Sequence, residues 1–238
     1  MSQSSPQQLS LGVSLNDDAT FANFYITEGS ANAQIVHALN QQLTDFGEQF
    51  IFLWGGAGVG ITHLLQASCI AAEQSGLSVQ YLPLKDMAGF APEYLLEGLD
   101  QLDLVCLDGL QAVVGNPAWE QALFNFFNRM RDSGRRLLMA ADQGPHELSI
   151  QLPDLKSRLN SGLGYQVQPM SDDEKKAALQ LRARARGLEL SDEVVQFILH
   201  RAPRDMNELF CYLNRLDDAS LAEQRRLTIP FVKQVLGF

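Results

Sequence analysis

Short apolar runs alternate with amphipathic stretches through the first two thirds of the chain. The runs are QFIFLWG, SVQYLPL, LDLVCLD and RRLLMAAD, and helix-like stretches such as THLLQASCIAAEQSG and AWEQALFNFFNRMRDSG separate them. Continuous apolar runs are typical of parallel strands buried on both faces, which need helical crossovers. The pattern therefore predicts an α/β domain over residues 20–168, with a parallel sheet flanked by helices.

Local signals mark the starts of two helices. Asn116 followed by Pro117 predicts an N-cap and a proline at the first helical position. Ser171 and Glu174 have the spacing of a capping box. Since no strand-like run follows this box, we expect a small all-helical domain over residues 169–238.

Composition narrows the function classes. The 238 residues are 46% hydrophobic and 19% charged, as in ordinary soluble proteins. A formal net charge of -10 argues against strong general binding of nucleic acid by the chain itself. Residues 1–19 are rich in Ser, Gln and Asn and predict a flexible tail without a signal peptide. We therefore expect a cytoplasmic protein with no membrane partner.

Neither the cysteines nor the histidines have the spacing of a metal site. We expect buried, reduced thiols at Cys69, Cys106 and Cys211, and no metal site at His37, His63, His146 or His200. The run RARARG, which contains Arg182, Arg184 and Arg186, is interpreted as a solvated helix face, with a local basic patch as the alternative.

The segment FLWGGAGVGITHLL has the pattern of a phosphate-binding loop between a strand and a helix. Its glycines allow backbone N–H groups to approach phosphates. Thr62 stands at the Mg²⁺ ligand position, and Asp108 ends an apolar strand where a second metal-side carboxylate is expected. The predicted loop residues are Gly55, Gly56, Ala57, Gly58, Val59, Gly60, Ile61, Thr62 and His63.

Two positions depart from a working ATPase site. Ile61 stands where the lysine of the loop is expected, and Gly109 stands where many such ATPases carry a second acidic residue. One charge pair at about 4 Å is worth roughly 4 kcal/mol before desolvation. We therefore expect poor turnover and preferential binding of ADP or another nucleoside diphosphate, with Mg²⁺ as a candidate companion. The alternative is a glycine-rich turn without a ligand.

With GGAGVGITHLLQA, LVCLDGLQAV, LLMAADQGPHEL, DLKSRLNSGL and RDMNELF in order, the chain resembles the AAA+ module of the bacterial initiator DnaA from about residue 20 to 238. The resemblance implies an AAA+ P-loop fold with a helical lid. Because the sequence stops at LTIPFVKQVLGF, it is similar to DnaA-related regulators that carry no DNA-binding domain.

The resemblance also implies roles for single residues. Arg158 corresponds to the arginine finger, which acts in the nucleotide site of a neighbouring subunit. Arg204 corresponds to the sensor 2 arginine and Asp142 to the sensor 1 position. Phe24 and Tyr25 correspond to the adenine-side wall. The alternatives are a surface helix charge for Arg158, an N-terminal charge of the lid for Arg204 and a core aromatic position for Phe24.

Near the amino terminus, QLSLGV resembles the short peptide that docks on the bacterial sliding clamp. Gln8, Leu9 and Leu11 match it with Ser10 between them, and Gly12 departs from it. The resemblance implies as partners DnaA, the clamp (the β subunit of DNA polymerase III) and, through the clamp, DNA. It leaves self-association open.

The expected function is inactivation of DnaA, by promoting hydrolysis of its bound ATP on the DNA-loaded clamp. The expected outcome is negative regulation of replication initiation. A self-contained AAA+ ATPase or helicase-loader-like protein is one alternative. A scaffold that joins clamp and initiator without nucleotide is another, favoured by Ile61.

Overall fold

The computed structural model describes residues 19–202 and 205–238. Within these residues, five parallel strands form one sheet in the order β2-β3-β4-β1-β5. The strands are β1 (Phe50–Trp54), β2 (Val79–Pro83), β3 (Leu104–Asp108), β4 (Arg136–Ala141) and β5 (Leu163–Gln166).

The α-helices of the described chain precede, connect and follow these strands. They are α1 (Ala31–Gln42), α2 (Ile61–Gln74), α3 (Leu84–Met87), α4 (Pro92–Leu95), α5 (Pro117–Asp132), α6 (Pro153–Leu159), α7 (Asp172–Ala185), α8 (Asp192–Leu199), α9 (Met206–Glu223) and α10 (Ile229–Leu236). In the described part of the chain, no helix is both long enough and apolar enough to cross a membrane.

The sheet is buried on both faces because helices cover each side. Successive residues of β1 point to opposite faces. Ile51 and Leu53 therefore join the cluster beneath α1 and α2, whereas Phe52 joins the cluster beneath α5. The predicted α/β class with a parallel, helix-covered sheet is confirmed.

The predicted helix starts at Asn116 and Ser171 are also confirmed. The Asn116 side chain accepts from the backbone N–H of Ala118 at 3.0 Å. Ser171 Oγ accepts from the backbone N–H of Glu174, whose carboxylate in turn accepts from the backbone N–H of Ser171 at 2.9 Å. These contacts depend on neighbouring residues alone, so the sequence pattern was sufficient to predict them.

The edge strand β5 was not predicted. It pairs with β1, placing Leu163 opposite Ile51 and Gly164 opposite Phe52, but it is short and largely exposed. A Cβ at Gly164 would lie 2.8 Å from Cζ3 of Trp54, so this position is adapted to close packing. An exposed glycine-containing strand lacks the apolar run on which the prediction depended.

Helices α7 to α10 form a small helical region with a core of its own. The side chains that fill it are fully buried, among them Leu179, Val195, Leu213, Leu216 and Phe231. A helical lid after the sheet was expected and is confirmed. The domain limits at residues 19 and 168 stay a prediction.

Candidate nucleotide-binding site

A cavity of about 570 Å³ lies between the phosphate loop and the lid helices. This volume is within the range of roughly 300–1,000 Å³ that is usual for small-molecule sites. All the predicted nucleotide contacts that lie within the described residues line this cavity. They are Phe24, Tyr25, Gly55, Gly56, Ala57, Gly58, Val59, Gly60, Ile61, Thr62, His63, Asp108 and Asp142. These residues come from distant parts of the chain.

The phosphate loop depends on glycine at specific positions. Gly58 and Gly60 have φ angles of +75° and +96°, which L side chains rarely adopt. A Cβ at Gly60 would lie 2.7 Å from Cε2 of Phe24, and one at Gly55 would lie 2.8 Å from the carbonyl oxygen of Val167. Because α2 begins at Ile61, directly after Gly60, its first N–H groups and its dipole favour an anion at the loop.

The two predicted metal-side residues are in direct contact. The hydroxyl of Thr62 donates to Oδ2 of Asp108 at 2.7 Å. An alcohol and a carboxylate are hard oxygen ligands that suit Mg²⁺ beside bound phosphates. The residues present therefore fit a nucleotide with Mg²⁺. Among the described residues, no group of three or more His, Cys, Asp or Glu could hold a metal ion.

Tyr81 on β2 supports Asp108 from beneath the site. Its hydroxyl donates to the same carboxylate oxygen at 2.7 Å. Burial raises the pKa of Tyr81 far above its usual value, and the negative charge of Asp108 raises it further. Tyr81 therefore stays protonated and orients the carboxylate toward Thr62. No sequence pattern indicates this role, because a tyrosine in a strand is a common core residue.

The backbone conformation directly after Asp108 favours glycine. Gly109 has a φ angle of +84°, and its N–H donates to the carbonyl of Ala140 at 3.0 Å. An acidic side chain at this position would impose backbone strain. Nearby, the backbone N–H of Asp142 donates to Oε1 of Gln111 at 3.2 Å, and both residues line the cavity.

Arg158 does not belong to the cavity of its own chain. It is half-buried near the end of α6 and is absent from the cavity wall. Within residues 19–202 and 205–238, its guanidinium makes no hydrogen bond or ion pair. The predicted finger thus lies on a separate surface from the predicted nucleotide contacts.

A buried glutamate holds the helix that carries Arg158. The Glu120 carboxylate on α5 is 1% exposed and accepts backbone N–H groups from Gly115 at 2.7 Å, Gln151 at 3.0 Å and Leu152 at 2.7 Å. Leu152 is the N-cap residue of α6. Glu120 therefore anchors the start of this helix to α5. Its position on the apolar face of a predicted helix was the available sequence signal.

Two sequence interpretations are wrong. Arg182 is not part of a solvated face, because it is 6% exposed, lines the cavity and stacks on Phe210 with 4.4 Å from Cζ to the ring centroid. It lies four residues after Ala178, on the buried stripe of α7, while Arg184 is exposed. Cys211 was expected to be buried but is exposed.

The other two cysteines agree with the expectation. Cys69 and Cys106 are free and buried, and burial raises the pKa of the Cys106 thiol. A buried thiol with a raised pKa is an inert core group. The predicted sensor 2 residue Arg204 and the predicted clamp peptide, Gln8, Leu9, Ser10 and Leu11, lie outside the described residues.

Two family profiles cover most of the chain. The bacterial DnaA ATPase domain matches residues 15–166, and the lid domain of Hda matches residues 172–236. Together they span the sheet domain and the helical region after it.

Solved structures give the same picture. Domain III of the replication initiation protein DnaA from Thermotoga maritima is 25% identical, with a TM-score of 0.79 over 94% of this chain and 98% of that one. AMPPCP-bound DnaA from Aquifex aeolicus is 26% identical, with a TM-score of 0.72 over 84% of this chain and 65% of that one. The RuvB branch migration motor of Thermotoga maritima, at 19% identity, shares the fold with a TM-score of 0.65 over 92% of this chain and 71% of that one.

Proposed function

The chain belongs to the family of the bacterial DnaA ATPase domain, and on that premise we propose that it inactivates DnaA by promoting hydrolysis of DnaA-bound ATP. The conversion of DnaA to its ADP form lowers replication initiation. Membership of the family is shown by the profile that covers residues 15–166. The direction of the effect and the route through ATP hydrolysis are our proposal.

One observation carries the proposal: Arg158 lies outside the chain's own cavity, at the end of a helix that Glu120 anchors. A guanidinium held on a surface and free of described partners can enter the nucleotide site of an adjacent subunit. There it stabilises the charge that develops in phosphoryl transfer, an effect of about 10³ to 10⁵ in rate for arginine fingers. DnaA with bound ATP is the subunit that we propose receives it.

The chain's own nucleotide, in this proposal, sets its shape and is not consumed. The cavity keeps the glycine loop and the Thr62–Asp108 pair, which support binding of a diphosphate with Mg²⁺. Ile61 supplies no charge to the outer phosphates, and the backbone at Gly109 disfavours an acidic residue that would orient water. ADP is therefore the proposed ligand.

The sliding clamp is the proposed platform. Gln8, Leu9, Ser10 and Leu11 would dock on the DNA-loaded clamp and bring Arg158 to DnaA on the same DNA. The chain carries a net charge of -10, so an indirect contact with DNA through the clamp is better matched to its charge than direct binding.

A self-contained ATPase is the second candidate function. It is favoured by the 2.7 Å contact between Thr62 and Asp108, because this pair is the one that positions Mg²⁺ in working sites. A nucleotide-independent scaffold is favoured by Ile61 alone. Both make predictions that differ from those of the regulator.

The test is a single-turnover assay in which DnaA is preloaded with radiolabelled ATP and mixed with the chain, with and without DNA-loaded clamp. We expect hydrolysis to accelerate at least tenfold only when the chain and the loaded clamp are both present, and the chain alone to turn over ATP slowly. Fast turnover by the chain alone would support the ATPase. Equal stimulation by nucleotide-stripped and ADP-loaded chain would support the scaffold.

A further inference from the structure

We propose that Arg182, on α7 of the lid, binds the phosphates of the nucleotide and supplies the positive charge that the loop lacks at Ile61. The inference rests on the proposed nucleotide binding. It assigns a specific ligand contact to a residue outside the phosphate loop.

The burial and the packing of Arg182 suit its side chain to contact a ligand in the cavity. Although arginine is rarely buried, this side chain is 6% exposed and lies in the cavity wall. Its guanidinium carbon is 4.4 Å from the ring centroid of Phe210. Such stacking fixes the plane of the guanidinium, whose N–H donors lie around the edge of that plane. Planar forked donors are suited to phosphate oxygens.

The charges around the cavity create a need for this cation. Among the described residues of the cavity wall, Arg182 is the one with a permanent positive charge, whereas Asp108 and Asp142 are acidic. Asp205 adds a third carboxylate next to the loop. Its Cγ is so close to Gly58 that a Cβ built on this glycine would lie 2.9 Å from it. A diphosphate brings further negative charge, which Mg²⁺ offsets only in part.

Arg182 packs against α9, the helix that follows the contact between the lid and the phosphate loop. Asp205, directly before α9, touches the phosphate loop at Gly58. Phe210 follows it by five residues, little more than one turn of helix. Arg182 stacks on Phe210, so the same helix carries both the partner of its guanidinium and, just before its start, the carboxylate that contacts the loop.

Binding of ADP and of adenosine, measured by calorimetry on the full chain, separates a phosphate contact from other roles. We expect Arg182→Met to weaken ADP binding at least tenfold and adenosine binding less than twofold, because only ADP carries the phosphates. Arg182→Lys should retain part of the affinity. The matched control, Arg184→Ala, removes an exposed arginine of the same helix and should bind ADP like the intact chain.

A second variant tests the compensation directly. Ile61→Lys, introduced into Arg182→Met, should restore ADP binding to within about threefold of the intact chain. Methionine keeps apolar contact with Phe210, and the melting temperature shows whether each variant is folded. If Arg182→Met is unfolded, Arg182→Lys alone decides, since an unchanged ADP affinity or an equal loss for adenosine contradicts the inference.

The outcomes also separate this inference from the proposed function. Equal losses of ADP and adenosine would show that Arg182 supports the lid or the base, and would overturn the inference. Failure of Ile61→Lys to restore binding would do the same. An intact chain that binds no ADP would overturn the nucleotide part of the proposed function as well.

Discussion

The glycines of the phosphate loop have different structural requirements although they look equivalent in the sequence. Gly60 combines a φ angle of +96° with close packing against Phe24. Gly56 has neither constraint, because a Cβ there would meet no atom within 4 Å and its φ is not positive. The loop therefore offers a substitution that should damage it and a matched one that should not.

Gly60→Ala should destabilise the chain by about 1–3 kcal/mol and weaken ADP binding, because alanine is strained at this φ and its methyl group collides with Phe24. Urea unfolding and an ADP titration measure the two effects. Gly56→Ala is the control for folding and should leave the stability unchanged. Equal stability of the two variants would contradict the loop geometry described above.

Tyr81 provides a pH-dependent test of the support beneath Asp108. At pH 8, Tyr81→Phe should cost about 1 kcal/mol because the hydrogen bond to Asp108 is lost. The pKa of Tyr81 is raised in the folded chain above its ordinary 10.0, so its contribution to stability is full below pH 10 and is lost as pH rises further. Urea unfolding should therefore show the intact chain losing its advantage over the variant between pH 10 and 11. A constant difference across this range would argue against the buried contact.

One buried carboxylate fixes the start of helix α6, in addition to the core packing of Leu155 and Leu159. Glu120 receives three backbone N–H groups from the segments that precede α5 and α6. Without these bonds, the start of α6 would lose its anchor, and the orientation of Arg158 at its other end would be less restricted. Glu120 is in this sense a positioning residue for the proposed finger.

Glu120→Gln should lower stability by about 1–3 kcal/mol, because the amide NH₂ replaces one acceptor oxygen and faces N–H donors. It should also reduce stimulation of DnaA hydrolysis while leaving binding to the clamp unchanged. Denaturant unfolding, the single-turnover assay and clamp retention measure these three properties. Glu147→Gln, an exposed change in the segment between β4 and α6, is the control. A Glu120→Gln chain with intact stability and stimulation would refute the anchoring role.

The elements that sequence predicted are those with local determinants. The four apolar runs form β1 to β4, and Asn116 and Ser171 cap their helices as expected. Strands buried on both faces and helix caps can be predicted because they depend on residues that are neighbours in the sequence. The edge strand β5 and the burial of Arg182 depend on partners distant in the chain, Trp54 and Phe210. The roles of Glu120 and Tyr81 also depend on tertiary contacts, and for this reason they were not predicted from the sequence.

At the scale of the whole molecule, the cavity and the proposed arginine finger lie in different places. The cavity between sheet and lid gathers the predicted nucleotide contacts, while Arg158 stands outside it. A net charge of -10 makes direct attraction to DNA weak, so in the proposal the clamp supplies the link to DNA.

The proposed clamp link is tested by Gln8→Ala combined with Leu11→Ala. We expect this variant to lose retention on immobilised clamp, since the docking side chains are removed. The clamp-dependent stimulation of hydrolysis of DnaA-bound ATP should fall at least tenfold. ADP binding should be unchanged because the cavity is distant in sequence and separate in function. Gln7→Ala, one position away, is the matched control. Undiminished retention of the double variant would remove the peptide from the proposal.

The most direct measurement is the rate of hydrolysis of DnaA-bound ATP on DNA-loaded clamp with the intact chain, with Arg158→Ala and with Lys156→Ala. Lys156→Ala removes a positive charge from the same helix and is expected to behave like the intact chain. We expect Arg158→Ala to lose at least 100-fold of the stimulation with clamp binding unchanged. Full stimulation by Arg158→Ala would contradict the trans-acting finger and with it the proposed mechanism.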